Sequence, residues 1–402
     1  MGCGKGFNPH AWSARSVTVL HVETAPEPGF RRDVTTTGTY GDRSFIAPLT
    51  SLRFFAAFAV VIYHSGATYL SQVSAVPAFI RNLLFNGYIG VTFFFVLSGY
   101  ILQVVYHDRA WSHFGIKAFY QARFARIYPV YLIALLLIAP FMMKFGIDAL
   151  PQFFLLQKWG SGWLGEMQNS NMPAWTLSVE LFFYLCFPII SSGARRLDRA
   201  GLILIVVVCV GFIACTASSS VWAIKQAPRE WMRAIPLPMI RLPEFIAGVV
   251  VAQLTMRGRS EGAAFAVLGA ICVLFIVAAL TTSPYVAAVG SIVSVVVVGC
   301  IPQAPASWIS RGLSWRPLVV AGGASYALYL LQQPVHFITE ALLGTGMAAK
   351  LVQFPLLFAA SALTFFYIEE RAREAIRAYF SMRESVIAKA IGWPRPVSGS
   401  EN

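Results

Sequence analysis

About ten windows of roughly 20 predominantly apolar residues run through this chain, and no other feature limits its fold so tightly. Each is long enough to cross the hydrocarbon of a bilayer. They fall near 45–65, 83–106, 127–146, 173–193, 202–220, 235–256, 263–281, 284–301, 317–343 and 348–369. Backbone that spans lipid must satisfy its own hydrogen bonds, and segments of this length do so as helices. The sequence therefore predicts an all-α fold: a polytopic membrane bundle of about ten transmembrane helices. Charged residues make up 12% of the 402, about half the share usual in a soluble domain, which excludes an ordinary soluble enzyme.

A net charge of +13 would suggest a nucleic-acid partner in a soluble protein. Here its distribution gives a different answer. With ten spans and an inner N-terminus, the inner segments collect Arg109, Lys117, Arg123, Arg126, Arg195, Arg196, Arg257, Arg311 and Arg316. The outer segments take Arg81, Lys158, Lys225, Arg229, Arg233 and Lys350. By the positive-inside rule both termini are expected in the cytoplasm, so the basicity reports topology and lipid contact, and no nucleic acid is implied.

Residues 1–44 are polar, rich in Gly, Thr and Pro, and hold no apolar run of the signal-peptide kind. They read as a disordered cytoplasmic leader. The transmembrane domain occupies 45–369, and 370–402 reads as a cytoplasmic tail that opens with a charged helical piece. The outer segment 147–172 carries Trp159, Trp163 and an apolar run too short to span, a composition suited to a membrane interface or to covering a cavity. Of six cysteines, five fall in predicted spans without Cys-x-x-Cys spacing, so neither a disulfide frame nor a metal site is expected.

Ionisable groups inside a membrane face a bundle interior or a wet cavity and tend to work there. His64 is the first such group. It stands eleven residues after Arg53, about 16 Å further along a helix, so a cation at the inner edge and an imidazole near mid-membrane would serve a substrate that enters from inside and reacts deeper. A histidine bonded to a neighbouring helix and an arginine obeying topology is the open alternative. Arg123 and Arg126, at i and i+3, present two guanidiniums on one face, a pairing suited to phosphate and equally to lipid headgroups. Glu180, inside the fourth span, must be neutral, paired or wet; it could orient His64, accept a proton, or pair with an arginine such as Arg241. Arg241 and Glu244 are read as a structural ion pair, and His107, His113 and His336 are assigned no role.

Together these segments resemble the acyltransferase-3 family of bacterial membrane O-acyltransferases. Five matches carry the resemblance from about residue 47 to about 373: Arg53 with His64; Gly90 through Ser98-Gly99-Tyr100; Arg123-Phe124-Ala125-Arg126-Ile127-Tyr128-Pro129; Trp175-Thr176-Leu177-Ser178-Val179-Glu180 with Phe183-Tyr184; and Ser325-Tyr326-Ala327-Leu328-Tyr329-Leu330. The resemblance implies transfer of an acyl group, commonly acetyl, from cytoplasmic acyl-coenzyme A to a hydroxyl of a cell-envelope or secreted saccharide or lipid-linked glycan. It implies His64 as the essential histidine, Arg53 as its motif partner, Glu180 as a further site residue, and Arg123 and Arg126 as contacts to coenzyme A phosphate. The bacterial cytoplasmic (inner) membrane is the expected location. One departure stands out: Gln332 occupies a place where many relatives have histidine, so a mechanism that needs a second histidine there lacks it. Some relatives append an extracytoplasmic esterase-like domain, for which the stretch after Glu370 is expected to be too short.

Acyl transfer from a thioester to an alcohol needs a base for the hydroxyl proton, and imidazole titrates near the working pH. Direct attack and a transient acyl-imidazole are both open. The rival from another class is a proton-coupled transporter or flippase of an envelope precursor, with His64, Glu180 and Arg241 as a relay.

Overall fold

The computed structural model describes residues 46–65, 76–108, 111, 113–144, 146–160, 167–217, 235–258, 263–283, 285–369 and 371–379 apart from Arg373 and Arg377. The predicted leader, most of the tail, and Trp163 lie outside them. Among the described residues the regular elements are all helical. In chain order they are α1 (Ile46–Ser65), α2 (Ala78–Phe85), α3 (Ile89–Tyr106), α4 (His113–Met142), α5 (Leu150–Phe153), α6 (Trp175–Arg196), α7 (Arg199–Ala217), α8 (Leu237–Arg257), α9 (Ala263–Leu280), α10 (Val286–Cys300), α11 (Trp308–Leu313), α12 (Arg316–Leu343) and α13 (Met347–Leu363). A π-helical turn, Thr364–Glu369, continues α13. Nine helices among the described residues are long and apolar enough to cross a membrane. The chain is a multi-pass membrane protein with an all-α fold.

The helices meet where side chains are small, because in lipid close backbone approach drives association. α3 and α8 cross at Gly99 and Gly248. A Cβ on Gly99 would strike the carbonyl oxygen of Phe245, and one on Gly248 that of Val96. Two buried polar pairs, Gln103 Nε2 donating to Gln253 Oε1 at 2.8 Å and Tyr100 Oη 3.2 Å from Thr255 Oγ1, join the same two helices further along. α12 lies against α1 through Gly322, whose Cβ would strike the carbonyl oxygen of Thr50. The core between α3, α4, α6 and α8 is aromatic: Phe95, Phe119, Phe183, Phe187 and Phe245 are fully buried and meet edge-on or stacked.

α4 departs from the sequence reading. The third window, expected from 127, lies in a helix that starts at His113 and runs 30 residues. Lys117, Arg123 and Arg126 depress its hydropathy, yet this part is held as helix by burial of Phe119 against Tyr106, Trp111 and Phe187. Arg123 and Arg126 thus lie inside the helix and not before its start. α12 meets the ninth expected window, 317–343, within one residue, although Ser325, Gln332, Gln333, His336 and Glu340 make it less apolar than the nine helices above. Packing holds it in place: Ser325 and Gln332 are almost wholly buried.

The described parts of the segment 147–172, residues 147–160 and 167–172, pack against the bundle. Tyr131 and Tyr128 donate to the carbonyl oxygens of Gln152 and Phe153 at 2.6 and 3.0 Å, Gln157 Nε2 donates to that of Ala174 at 2.9 Å, and Trp159 meets Phe182 edge-on. Asn171 Nδ2 donates to the Leu330 carbonyl at 3.1 Å. These bonds fasten the segment to α4, α6 and α12.

Candidate active site

Five helices, α1, α3, α4, α6 and α12, enclose a cavity of about 820 Å³ of atom-free space, including the part open to solvent. Arg53 enters it from α1, Arg123 and Arg126 from α4, Glu180 and Tyr184 from α6, and Ser325, Tyr326 and Tyr329 from α12. α3 supplies a wall from Val91 to Leu102 that includes Phe94, Phe95 and Ser98. That wall is eleven residues long, about 16 Å of helix.

The cavity carries an excess of positive charge. Three guanidiniums line it, and the carboxylates that act on Arg53 are those of Glu180 and Glu369, the latter brought in by the π-helical turn. Tyr184 Oη donates to Glu180 Oε2 at 3.3 Å. Arg123 Nη2 donates to Tyr106 Oη at 3.4 Å, and its guanidinium lies 5.8 to 6.0 Å from the rings of Tyr106, Phe119 and Tyr184. These rings position the cation without neutralising it. The Nε atoms of Arg53 and Arg123 are buried and have no hydrogen-bond partner. A buried donor on a charged group is costly to leave unmade, so both are suited to an anionic ligand.

Arg53, Glu180, Arg123 and Arg126 are therefore brought together, and His64 is not among them. His64 occupies the last turn of α1, at the end of the helix and not near its middle. It is half-buried beside Tyr63, whose ring lies 4.9 Å away, and Tyr63 in turn meets Tyr88 at 5.9 Å. Gly90, next to the cavity residue Val91, packs on Ala56 and Val60 of α1, so His64 lies one to two helical turns beyond the cavity's α3 end. Glu180 does not pair with Arg241. Arg241 instead donates from Nε to Glu244 Oε2 at 2.6 Å and from Nη2 to Glu244 Oε1 at 3.0 Å, with Thr92 Oγ1 at 3.3 Å, and its guanidinium stacks 4.9 Å from Phe95. This is the ion pair the i, i+3 spacing suggests, fully buried.

Sequence reasoning missed two features of this region. Glu369, at the boundary of a charged tail, is assigned nothing from the sequence, and the π-helical turn buries it. His336, Glu340 and Lys350 form a second polar cluster near the end of α1, which the i, i+4 spacing of Gln332, His336 and Glu340 could have signalled.

The fold and the site define a multi-pass membrane protein whose helical bundle holds a cavity lined by three guanidiniums. The chain belongs to the acyltransferase-3 family, whose acyltransferase domain matches residues 47–369. It is an acyltransferase of a kind other than aminoacyl. It is similar to the acyltransferase MdmB of Streptomyces mycarofaciens, with 28% identity over 72% of this chain and 78% of that protein. It is also similar to the peptidoglycan O-acetyltransferase OatA of Listeria monocytogenes, at 24% over 83% and 56%, and to the O-acetyltransferase OatA of Staphylococcus aureus, at 23% over 72% and 50%. The chain spans about half the length of these two OatA proteins. No solved structure matches it.

Proposed function

We propose that this protein is an O-acyltransferase of the bacterial cytoplasmic membrane that moves an acyl group, acetyl foremost, from acyl-coenzyme A to a hydroxyl of an envelope or secreted saccharide. The observation that carries the reading is the gathering of Arg53, Arg123 and Arg126 around one cavity with two unmet Nε donors. Coenzyme A brings phosphates for guanidinium forks, which bind such groups in two-point fashion. Its pantetheine arm, two amides and the methylenes joining them, is of the same order of length as the 16 Å or so between the levels of Arg53 and His64. The α3 side chains that line the cavity are apolar apart from Ser98 and suit that arm.

In this reading the donor enters from the cytoplasm with its phosphates at the arginines and its thioester directed towards the last turn of α1. The acceptor hydroxyl attacks the thioester carbonyl carbon, forming the new C–O bond while the C–S bond breaks. His64 takes the hydroxyl proton and returns it to the departing thiolate, which leaves as free coenzyme A. Glu180, bonded to Tyr184, helps to hold the arginines in place. The name of the Listeria relative, a peptidoglycan O-acetyltransferase, supports a saccharide acceptor. The transporter reading loses one relay member, because Arg241 is occupied by Glu244.

The test supplies membranes with radiolabelled acetyl-coenzyme A and compares wild type with His64→Ala. Label is expected in saccharide only when His64 is present. Equal labelling in both would remove His64 from the chemistry, and no labelling from acetyl-coenzyme A in the wild type would remove the donor assignment.

A further inference from the structure

α12 carries a polar stripe. Ser325, Tyr329, Gln332, His336 and Glu340 follow one another at steps of four, three, four and four residues, which at about 100° per residue keeps all five within roughly a quarter of the helix circumference. The stripe starts in the cavity, at Ser325 and Tyr329, and ends some 22 Å further on. Gly322 lies against Thr50, so two parallel helices of equal rise place Ser325 level with Arg53 and His336 level with His64. An independent contact agrees: Gln353 Nε2 donates to Ser65 Oγ at 3.1 Å, and Gln353 Oε1 lies 3.4 Å from His336 Nδ1.

Around His336 the ends of α12 and α13 bring further groups together. Lys350 Nζ lies 3.2 Å from His336 Nδ1 and donates to Glu340 Oε1 at 2.9 Å, while His336 Nε2 lies 3.5 Å from Glu340 Oε2. These three side chains keep 20 to 27% of their surface exposed. One turn before them, Gln332 is buried with its Oε1 unpartnered. The set offers one cation, one anion, an imidazole and an amide. That mixture suits a neutral ligand with several hydroxyls, each of which donates and accepts.

We propose that the outer ends of α1, α12 and α13 form the acceptor subsite, where Glu340, Lys350 and His336 hold the hydroxyls of a neutral saccharide level with His64. This rests on the reading of His64 as the base. The competing account is a salt bridge that only ties α12 to α13.

The experiment uses membranes containing the full chain, acetyl-coenzyme A as donor and the saccharide fraction of the producing cells as acceptor probe, with each titrated separately. Lys350→Met and Glu340→Gln are each expected to raise the half-saturating concentration of the saccharide fraction about tenfold, as loss of one charge-assisted hydrogen bond entails, and to leave that of acetyl-coenzyme A unchanged. The swap Glu340→Lys with Lys350→Glu restores the ion pair, and its saccharide saturation is expected to stay weak. Unchanged saccharide saturation in the single variants, a parallel change in both substrates, or full recovery in the swap would overturn the proposal. Equal labelling by wild type and His64→Ala would instead overturn the base assignment, so the two failures are told apart.

Discussion

Arg53 and Arg123 spend a buried charged donor on no protein partner, and that asymmetry is what a ligand phosphate would repair. Replacing Arg123 or Arg126 by alanine is expected to raise the KM for acetyl-coenzyme A by roughly ten- to a hundredfold, the equivalent of about 1.5 to 3 kcal/mol for a hydrogen bond to a charged group. Lysine at either place keeps charge but not the fork and should fall between. A KM unmoved by Arg123→Ala would show that the phosphates lie elsewhere. Arg241 behaves differently, because Glu244, Thr92 and the ring of Phe95 already satisfy it. Removing Glu244 alone strands a buried cation and is expected to cost about 3 to 5 kcal/mol, whereas leucine at both positions should recover most of it. Thermal unfolding in detergent separates these variants, and equal stability of Glu244→Ala and the double variant would contradict the account.

At the scale of elements, backbone-to-backbone packing sets the position of every site group. Gly322 fixes the register of α12 on α1, and with it the level of Ser325 and His336. Valine at 322 must push the helices apart at Thr50. The expected result is a loss of about 1 to 3 kcal/mol from overpacking, read as a lower Tm in detergent, together with weaker acyl transfer; full activity and an unchanged Tm would show that the register is not fixed there. Gly99→Val at the α3–α8 crossing should lower the Tm similarly. Much of this layer was legible beforehand, since a window of 20 apolar residues has few other fates, and α1, α7, α8 and α9 fall within a few residues of the expected windows. Hydropathy misplaced the start of α4 because it averages over all faces of a helix. The arginines of α4 and the polar stripe of α12 face protein, not lipid, so tertiary burial decides their fate. The grouping of Arg53, Arg123, Arg126 and Glu180 was legible only as separate motifs, because their meeting depends on how five helices are arranged. The window expected at 45–65 already puts His64 at the end of α1, where it lies.

For the molecule as a whole, the charged cavity and the polar cluster at the far ends of α1 and α12 lie at different depths of one bundle, and the proposed reaction uses that separation. The arginines sit in the first halves of α1 and α4, whereas His64, His336 and Glu340 sit towards the ends of α1 and α12. If the basic segments face the cytoplasm as the positive-inside rule predicts, the donor phosphates bind from inside and the hydroxyl acceptor is met at the outer side. Acetyl-coenzyme A carries several negative charges and does not cross the hydrocarbon unaided. Inverted membrane vesicles should therefore release free coenzyme A from externally added acetyl-coenzyme A when the saccharide acceptor is sealed inside. Right-side-out vesicles given the same donor outside should release none until the membrane is permeabilised. The reverse pattern would place the arginine cavity on the outer side, and equal release from both would mean that the donor does not need the cytoplasmic entrance.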